Sequence, residues 1–199
     1  MDASKTLREI VGLGNQPPSL GDAALILVDI QNTYREGIMQ LVDVEPAVQE
    51  AQRLLEAARA AGAPIFHIRH DAGPGSPYDV TAAIGQISDE VAPHDGEPVI
   101  TKHYPNSFHQ TDLEQRLREK NISNVIIAGF MTHVCINSTT RGAFNLGFAP
   151  TVIASATATR NLPGLDGKVV SAESLQAASL AALGDIFAIV VPETKALDR

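Results

Sequence analysis

The chain has 199 residues, 44% hydrophobic and 19% charged, a composition that fits one folded domain and excludes a disordered chain. Fifteen Lys and Arg against 23 Asp and Glu give a net charge of −8, which argues against nucleic acid or an anionic membrane as partner and points to a small-molecule ligand. No apolar run approaches the roughly 18 residues that cross a bilayer. Met1 to Ile10 lacks the basic-then-apolar pattern of a secretory leader, and one Cys cannot form an internal disulfide, so a cytoplasmic location is expected.

In chain order, residues 1–20, with Pro17 and Pro18, read as an N-terminal arm on a single domain spanning 1–199. Ala24 to Val28 is apolar throughout, as a strand buried on both faces should be. After Pro46, a stripe of Val48, Ala51, Leu55 and Ala58 predicts a helix that stops at Gly62. Strands are expected at Ile65 to Ile68 and Val99 to Thr101, separated by a segment, Asp71 to Glu97, too long for an ordinary connection. Its glycines and prolines mark a loop of the kind that often covers a site in compact domains, with room for a short helix within Asp79 to Val91. A helix is expected from Thr111, capped by its hydroxyl with Glu114 completing a capping box. Then come a strand at Val125 to Ala128, a helix from His133 to Leu146, a strand at Thr151 to Ala154, a helix from Ser171 to Leu183 and a strand at Ile186 to Val191. Strands alternating with helices define an α/β protein with a mostly parallel six-stranded sheet.

Ligands of open α/β sheets bind beyond the carboxyl ends of the strands, so polar residues that end apolar runs come first. Three stand out. Asp29 ends the first strand, Lys102 the third, and Cys135 follows the fourth after a short turn. Taken singly they have plain readings: a lone Cys is usually a small buried hydrophobe, an Asp after a strand a cap, and a Lys there a solvated charge. Together they make coherent chemistry. A Cys at a helix N-terminus beside a Lys should have a lowered pKa, and an Asp can move the proton between the thiol and a leaving amine.

The segments Leu25–Asn32, Val99–Phe108 and Ala128–Cys135, continuing through Ser138–Phe148, resemble the signature blocks of the isochorismatase-like cysteine hydrolases. The resemblance spans about Ala23 to Val191 and implies a three-layer, Rossmann-like α/β/α sandwich with Asp29, Lys102 and Cys135 as catalytic triad. It also implies an oxyanion hole from the backbone N–H groups of Met131 and Cys135, with a cis peptide between Phe130 and Met131, and a homo-oligomer.

Nicotinamidases of this family carry an Asp-x-His metal motif after the first strand. None occurs here. His67 and His70 lie three apart on a strand and face opposite sides unless the strand ends between them, so neither a metal nor another cofactor is expected. True isochorismatases cleave a vinyl ether at the Asp and generally lack the Cys, which this chain keeps. The resemblance therefore implies thiolate attack on a carboxamide or ureido carbon, with a thioester intermediate. Asn32, Tyr34, Phe108, His133 and the 71–97 loop are the expected substrate contacts. The alternatives are vinyl-ether hydrolysis through Asp29 and a non-catalytic binding protein. Gly12-Leu13-Gly14 follows no strand, and Gly-x-Ser-x-Gly and phosphate-loop motifs are missing, which excludes dinucleotide-binding and serine-hydrolase forms of this architecture.

Overall fold

Five apolar residues with no polar face form β1 (Ala24–Val28), which is buried on both sides in the middle of a sheet. The computed structural model describes residues 4–197. The first three positions of the expected arm, and the last two of the expected domain, lie outside the described residues.

Before β1, a short helix α1 (Leu7–Ile10) is closed by a Thr6–Glu9 capping box. It is tied to the body, because the Leu7 N–H donates to Asp185 and the Arg8 guanidinium donates to the Ile186 carbonyl. The remaining elements are α2 (Val44–Ala60), β2 (Ile65–His70), β3 (Val99–Lys102), α3 (Leu113–Glu119), β4 (Asn124–Phe130), α4 (Asn137–Asn145), β5 (Ala149–Ala158), a two-stranded ribbon of β6 (Leu162–Pro163) and β7 (Val169–Val170), α5 (Ala172–Ile186) and β8 (Ile189–Val191).

Six strands pair in the order β3-β2-β1-β4-β5-β8, every pair parallel. Alternate strand residues face two cores. Leu25, Leu27, Ile126, Ala128 and Ile153 pack under Ala51, Leu54 and Leu55 of α2. Ala24, Ile26, Val125 and Ile127 pack against Leu117 of α3, Ala143 of α4 and Leu183 of α5. The architecture is a three-layer α/β/α sandwich.

Several boundaries differ from expectation for physical reasons. The helix after Thr111 starts at Leu113 and has no capping box: the Thr111 hydroxyl donates to the Ser107 carbonyl, and Glu114 pairs with Arg118 instead. Ile186 ends α5 rather than starting a strand, since the Phe187 and Ala188 N–H groups both fold back on the Leu183 carbonyl. The 71–97 segment holds single 3-10 turns at Ala83–Gly85 and Asp89–Val91. β5 runs four residues past Ala154, because after an irregularity near Gly129 it pairs again with β4 at Thr157 and Ala158.

Gly129 is required where it stands. Its φ is +121°, and a Cβ there would lie 1.9 Å from the Val28 carbonyl oxygen. Only glycine lets β4 approach the end of β1 at the residue before Asp29.

Candidate active site

The three expected residues converge at the carboxyl edge of the sheet. Asp29 follows β1 in the left-handed region at φ 52°, a conformation short polar side chains tolerate, and its N–H is held by the Ile68 carbonyl of β2. Lys102 is the last residue of β3, and its Nζ lies 2.6 Å from Asp29 Oδ2. Cys135 sits on a π-helical turn, Thr132–Ile136, that joins β4 to α4, with its Sγ 3.4 Å from Lys102 Nζ. The peptide between Phe130 and Met131, at the start of that turn, is cis.

The Lys102 ammonium has three protons and three neighbours. Besides the Asp29 carboxylate and the Cys135 sulfur, it reaches His70 Nδ1 at 3.4 Å. To accept there, His70 must be neutral, and burial followed by the charges of Lys102 and His103 lowers its pKa to about 4. His70 is fixed by Gln31, whose amide accepts from the His70 N–H at 2.8 Å and donates to the His70 carbonyl at 2.9 Å and to the Gly85 carbonyl at 2.7 Å. Gln31 thus ties the end of β1 to β2 and to the long loop.

Burial sets the proton affinities of the cluster. It raises Asp29 above the ordinary carboxylate range, against the pull of Lys102. It pushes the Cys135 thiol up to about 12, with the neighbouring Asp29 charge adding to the effect and Lys102 opposing it. This corrects the expectation of a lowered thiol pKa: the turn and Lys102 do not overcome desolvation and an adjacent carboxylate. Burial alone would lower Lys102, but Asp29 and Cys135 beside it keep the ammonium protonated. The Lys102 ammonium lies against Asp29 as an ion pair, beside a thiol that keeps its proton. Apart from Lys102 and the adjacent thiol, the Asp29 carboxylate oxygens have no partner, and the side chain is sealed from solvent.

The expected substrate contacts divide. Tyr34 is fully buried, edge-on to Phe130 at 5.7 Å and to Tyr78 at 5.8 Å. Asn32 tethers the long loop, donating to the Ala83 carbonyl and accepting from the Ser88 hydroxyl. Phe108 stacks on Phe148 at 5.7 Å in the core under α3 and α4. His133 is half-buried with Nδ1 2.6 Å from Thr159 Oγ1, and burial and Arg160 lower its pKa. Met131 and Cys135 are 6% and 5% exposed, so the site is nearly closed. A cavity of about 570 Å³ opens between α2, the end of β5 and α5, and Thr159 is one of its lining residues.

His67 and His70 turn to different partners. His67 lies 2.8 Å from Glu97 Oε2, whereas His70 turns to Lys102. Among the described residues no group of three His, Cys, Asp or Glu side chains is placed to hold a metal.

Three nearby residues escaped the sequence reading as site residues. Tyr78, from the long loop, packs edge-on to His70 at 4.9 Å, and burial first, with Cys135 and Asp29 nearby, raises its hydroxyl pKa. His70 was weighed only as a metal ligand. Arg160 lies two residues past the end of β5, in a stretch where no strand was expected.

A family model described as the isochorismatase domain matches residues 23–193. The secreted isochorismatase effector of Verticillium dahliae is 33% identical over 94% of this chain and 96% of its own length. An N-carbamoylsarcosine amidase from Arthrobacter is 30% identical over 78% of this chain and 64% of its own. The crystal structure of an isochorismatase from Pseudomonas putida superposes with a TM-score of 0.92 at 36% identity, covering 96% of this chain and 97% of that one.

Proposed function

The chain belongs to the isochorismatase family of hydrolases, and from that premise we propose that it cleaves the C–N bond of a small carboxamide or ureide through a thioester on Cys135. The observation that carries this reading is the buried Asp29 carboxylate, whose partners among the described residues are the Lys102 ammonium and the protonated Cys135 thiol.

As the sulfur bonds to the substrate carbonyl carbon, the thiol proton passes to Asp29, a base strengthened by burial. Lys102 holds the carboxylate in place and offsets the charge that develops on sulfur. The carbonyl oxygen becomes an anion, stabilised by the N–H groups of Met131 and Cys135, and one such donor is worth about 2.7 to 4 kcal/mol of barrier. When the C–N bond breaks, Asp29 returns its proton to the departing nitrogen. Water then attacks the thioester, Asp29 takes a proton from it, and the acid leaves with the thiol restored. The amidase among the relatives, named for a carbamoyl substrate, supports this substrate class over a vinyl ether.

The test is turnover of a panel of small amides and ureides, with mass spectrometry of the acid-quenched enzyme. An acyl adduct on Cys135 and a loss of several powers of ten in Cys135→Ala are expected. A Cys135→Ala variant with wild-type turnover overturns the reading.

A further inference from the structure

His70 and Lys102 are register partners at the ends of the neighbouring parallel strands β2 and β3. Paired residues of adjacent strands send their side chains to the same side of the pleat, and His70 Nδ1 comes to 3.4 Å from Lys102 Nζ. The Lys102 side chain has no exposure to solvent, so its ammonium must find its acceptors within the protein. A buried donor left without one is costly, more so on a charged group. Asp29 and Cys135 take two of the three protons, and His70 stands where the third can go.

The fold fixes His70 from several directions. Gln31, which is fully buried, bonds both the N–H and the carbonyl of His70 and ties them to the Gly85 carbonyl. The Asp71 N–H donates to the Lys102 carbonyl, which locks the two strand ends together one residue further on. Tyr78 lies edge-on to the imidazole at 4.9 Å and limits its rotation. Burial comes first, and the charges of Lys102 on β3 and of His103 just after it come next, in keeping the ring neutral against the pull of Asp71. A neutral ring that accepts at Nδ1 carries its proton on Nε2.

We propose that His70 is a positioning residue for the reaction: by accepting one proton of the Lys102 ammonium, it holds Nζ so that the other two point at Asp29 and at the Cys135 sulfur. The proposal rests on Cys135 as the reacting residue. Without the third acceptor, the ammonium turns towards the Asp29 carboxylate, the stronger of its two remaining acceptors, and draws away from sulfur. The charge that develops on sulfur during attack is then less well offset. The chemical step slows while substrate binding is kept, because His70 acts through Lys102.

The experiment compares His70→Leu, which removes the acceptor, with His70→Asn, whose Oδ1 replaces Nδ1, each alone and in a Lys102→Met background. One readout, iodoacetamide alkylation of Cys135, needs no substrate; the other is kcat and KM on the best amide of the panel. His70→Leu should alkylate about 3- to 10-fold more slowly, as the sulfur loses part of its cation. It should lose about 10- to 100-fold in kcat with KM within about twofold, and His70→Asn should recover most of both losses. In the Lys102→Met background His70→Leu should leave alkylation unchanged, since a merely structural role would slow it with or without the ammonium. An equal fall in both backgrounds, no fall at all, a loss carried by KM alone, or no recovery in His70→Asn overturns the proposal. Histidine ¹⁵N NMR of the unsubstituted protein should show His70 at neutral pH as the Nε2–H tautomer, and an Nδ1–H or charged ring overturns the proposal whether or not the substituted chains fold. If the alkylation pattern holds while no panel amide is hydrolysed, the hydrolytic reading fails and the positioning of Lys102 by His70 stands.

Discussion

Replacing Asp29 by Asn should separate two properties of Cys135 that usually rise together, reactivity and catalysis. In the wild type the thiol is held up to about 12 by burial, with the Asp29 charge as the next cause. Removing that anion leaves a buried Lys102 ammonium 3.4 Å from sulfur and a neutral His70 as its other neighbour. The thiolate is then the one group left to balance the ammonium, so the thiol pKa must fall. A single opposite or like charge at this range moves a pKa by roughly 1 to 3, which at pH 8 raises the thiolate population about 10- to 1000-fold. Alkylation by iodoacetamide, followed by mass spectrometry across pH, should speed up accordingly, less a modest loss of intrinsic nucleophilicity. Hydrolysis should move the other way, falling about 10²- to 10⁴-fold because the base is gone. Loss of one partner of a buried ion pair costs about 3 to 5 kcal/mol, so a circular-dichroism melt must show that the variant is folded under assay conditions. An Asp29→Asn thiol that alkylates no faster than the wild type refutes the electrostatic account, and retained turnover refutes the role of Asp29 as base.

Gly129→Ala should cost on the order of 4 kcal/mol, because it sets a Cβ against the Val28 backbone at a φ of +121°, whereas Gly147→Ala, with φ +83° and open space around it, should cost only about 1 kcal/mol; comparable melting temperatures for the two variants would contradict the packing argument. Glu97 is held down to about 2, first by the Arg59 guanidinium and then, against burial, by the His94 N–H and His67. Its folded pKa is depressed, so it stabilises the fold fully above its ordinary value of 4.5 and progressively less as pH falls towards 2, by at most ~3 kcal/mol. Glu97→Gln should flatten urea-unfolding free energies across that window and leave those curves parallel above pH 5. His70, lowered to about 4, gives a second and higher window: the unfolded chain takes up its proton first, so stability is lost as pH falls from 6.5 to 4, and a His70→Asn variant that keeps the full slope there would rule out this cause.

The fold was legible because its signals are local. Both-face burial of β1 and β4 follows from unbroken apolar runs, and the stripe on α2 follows from helical spacing. Where an apolar run passes from one element to the next, as at Ile186 to Val191, periodicity carries no boundary, and the structure places a helix end where a strand was expected. The capping box at Thr111 failed for a different reason: its hydroxyl turns to donate to the Ser107 carbonyl instead of accepting from the Glu114 N–H, and sequence does not show that this carbonyl is in reach.

The site was legible to the extent that its residues sit at strand ends, and it was missed where a strand end was misplaced. Asp29, Lys102 and Cys135 follow strands whose apolar character announces them. β5 changes from Val152 and Ile153 to Ser155, Ala156 and Thr157, residues too small and polar to read as strand, so the rule that polar residues at strand ends deserve inspection was applied at Ala154, six residues short of Arg160. The same rule applied at Ala158 selects Thr159, which bonds to His133, with Arg160 next to it. The thiol pKa was missed for a different reason. A helix start and a lysine can be read from sequence, and both lower it, but burial and the proximity of Asp29 raise it and exist only once three strands have brought their ends together. The proposed mechanism uses the second pair of effects: a thiol that keeps its proton until a carbonyl arrives would give Asp29 a proton to take and, later, a proton to give to the leaving nitrogen.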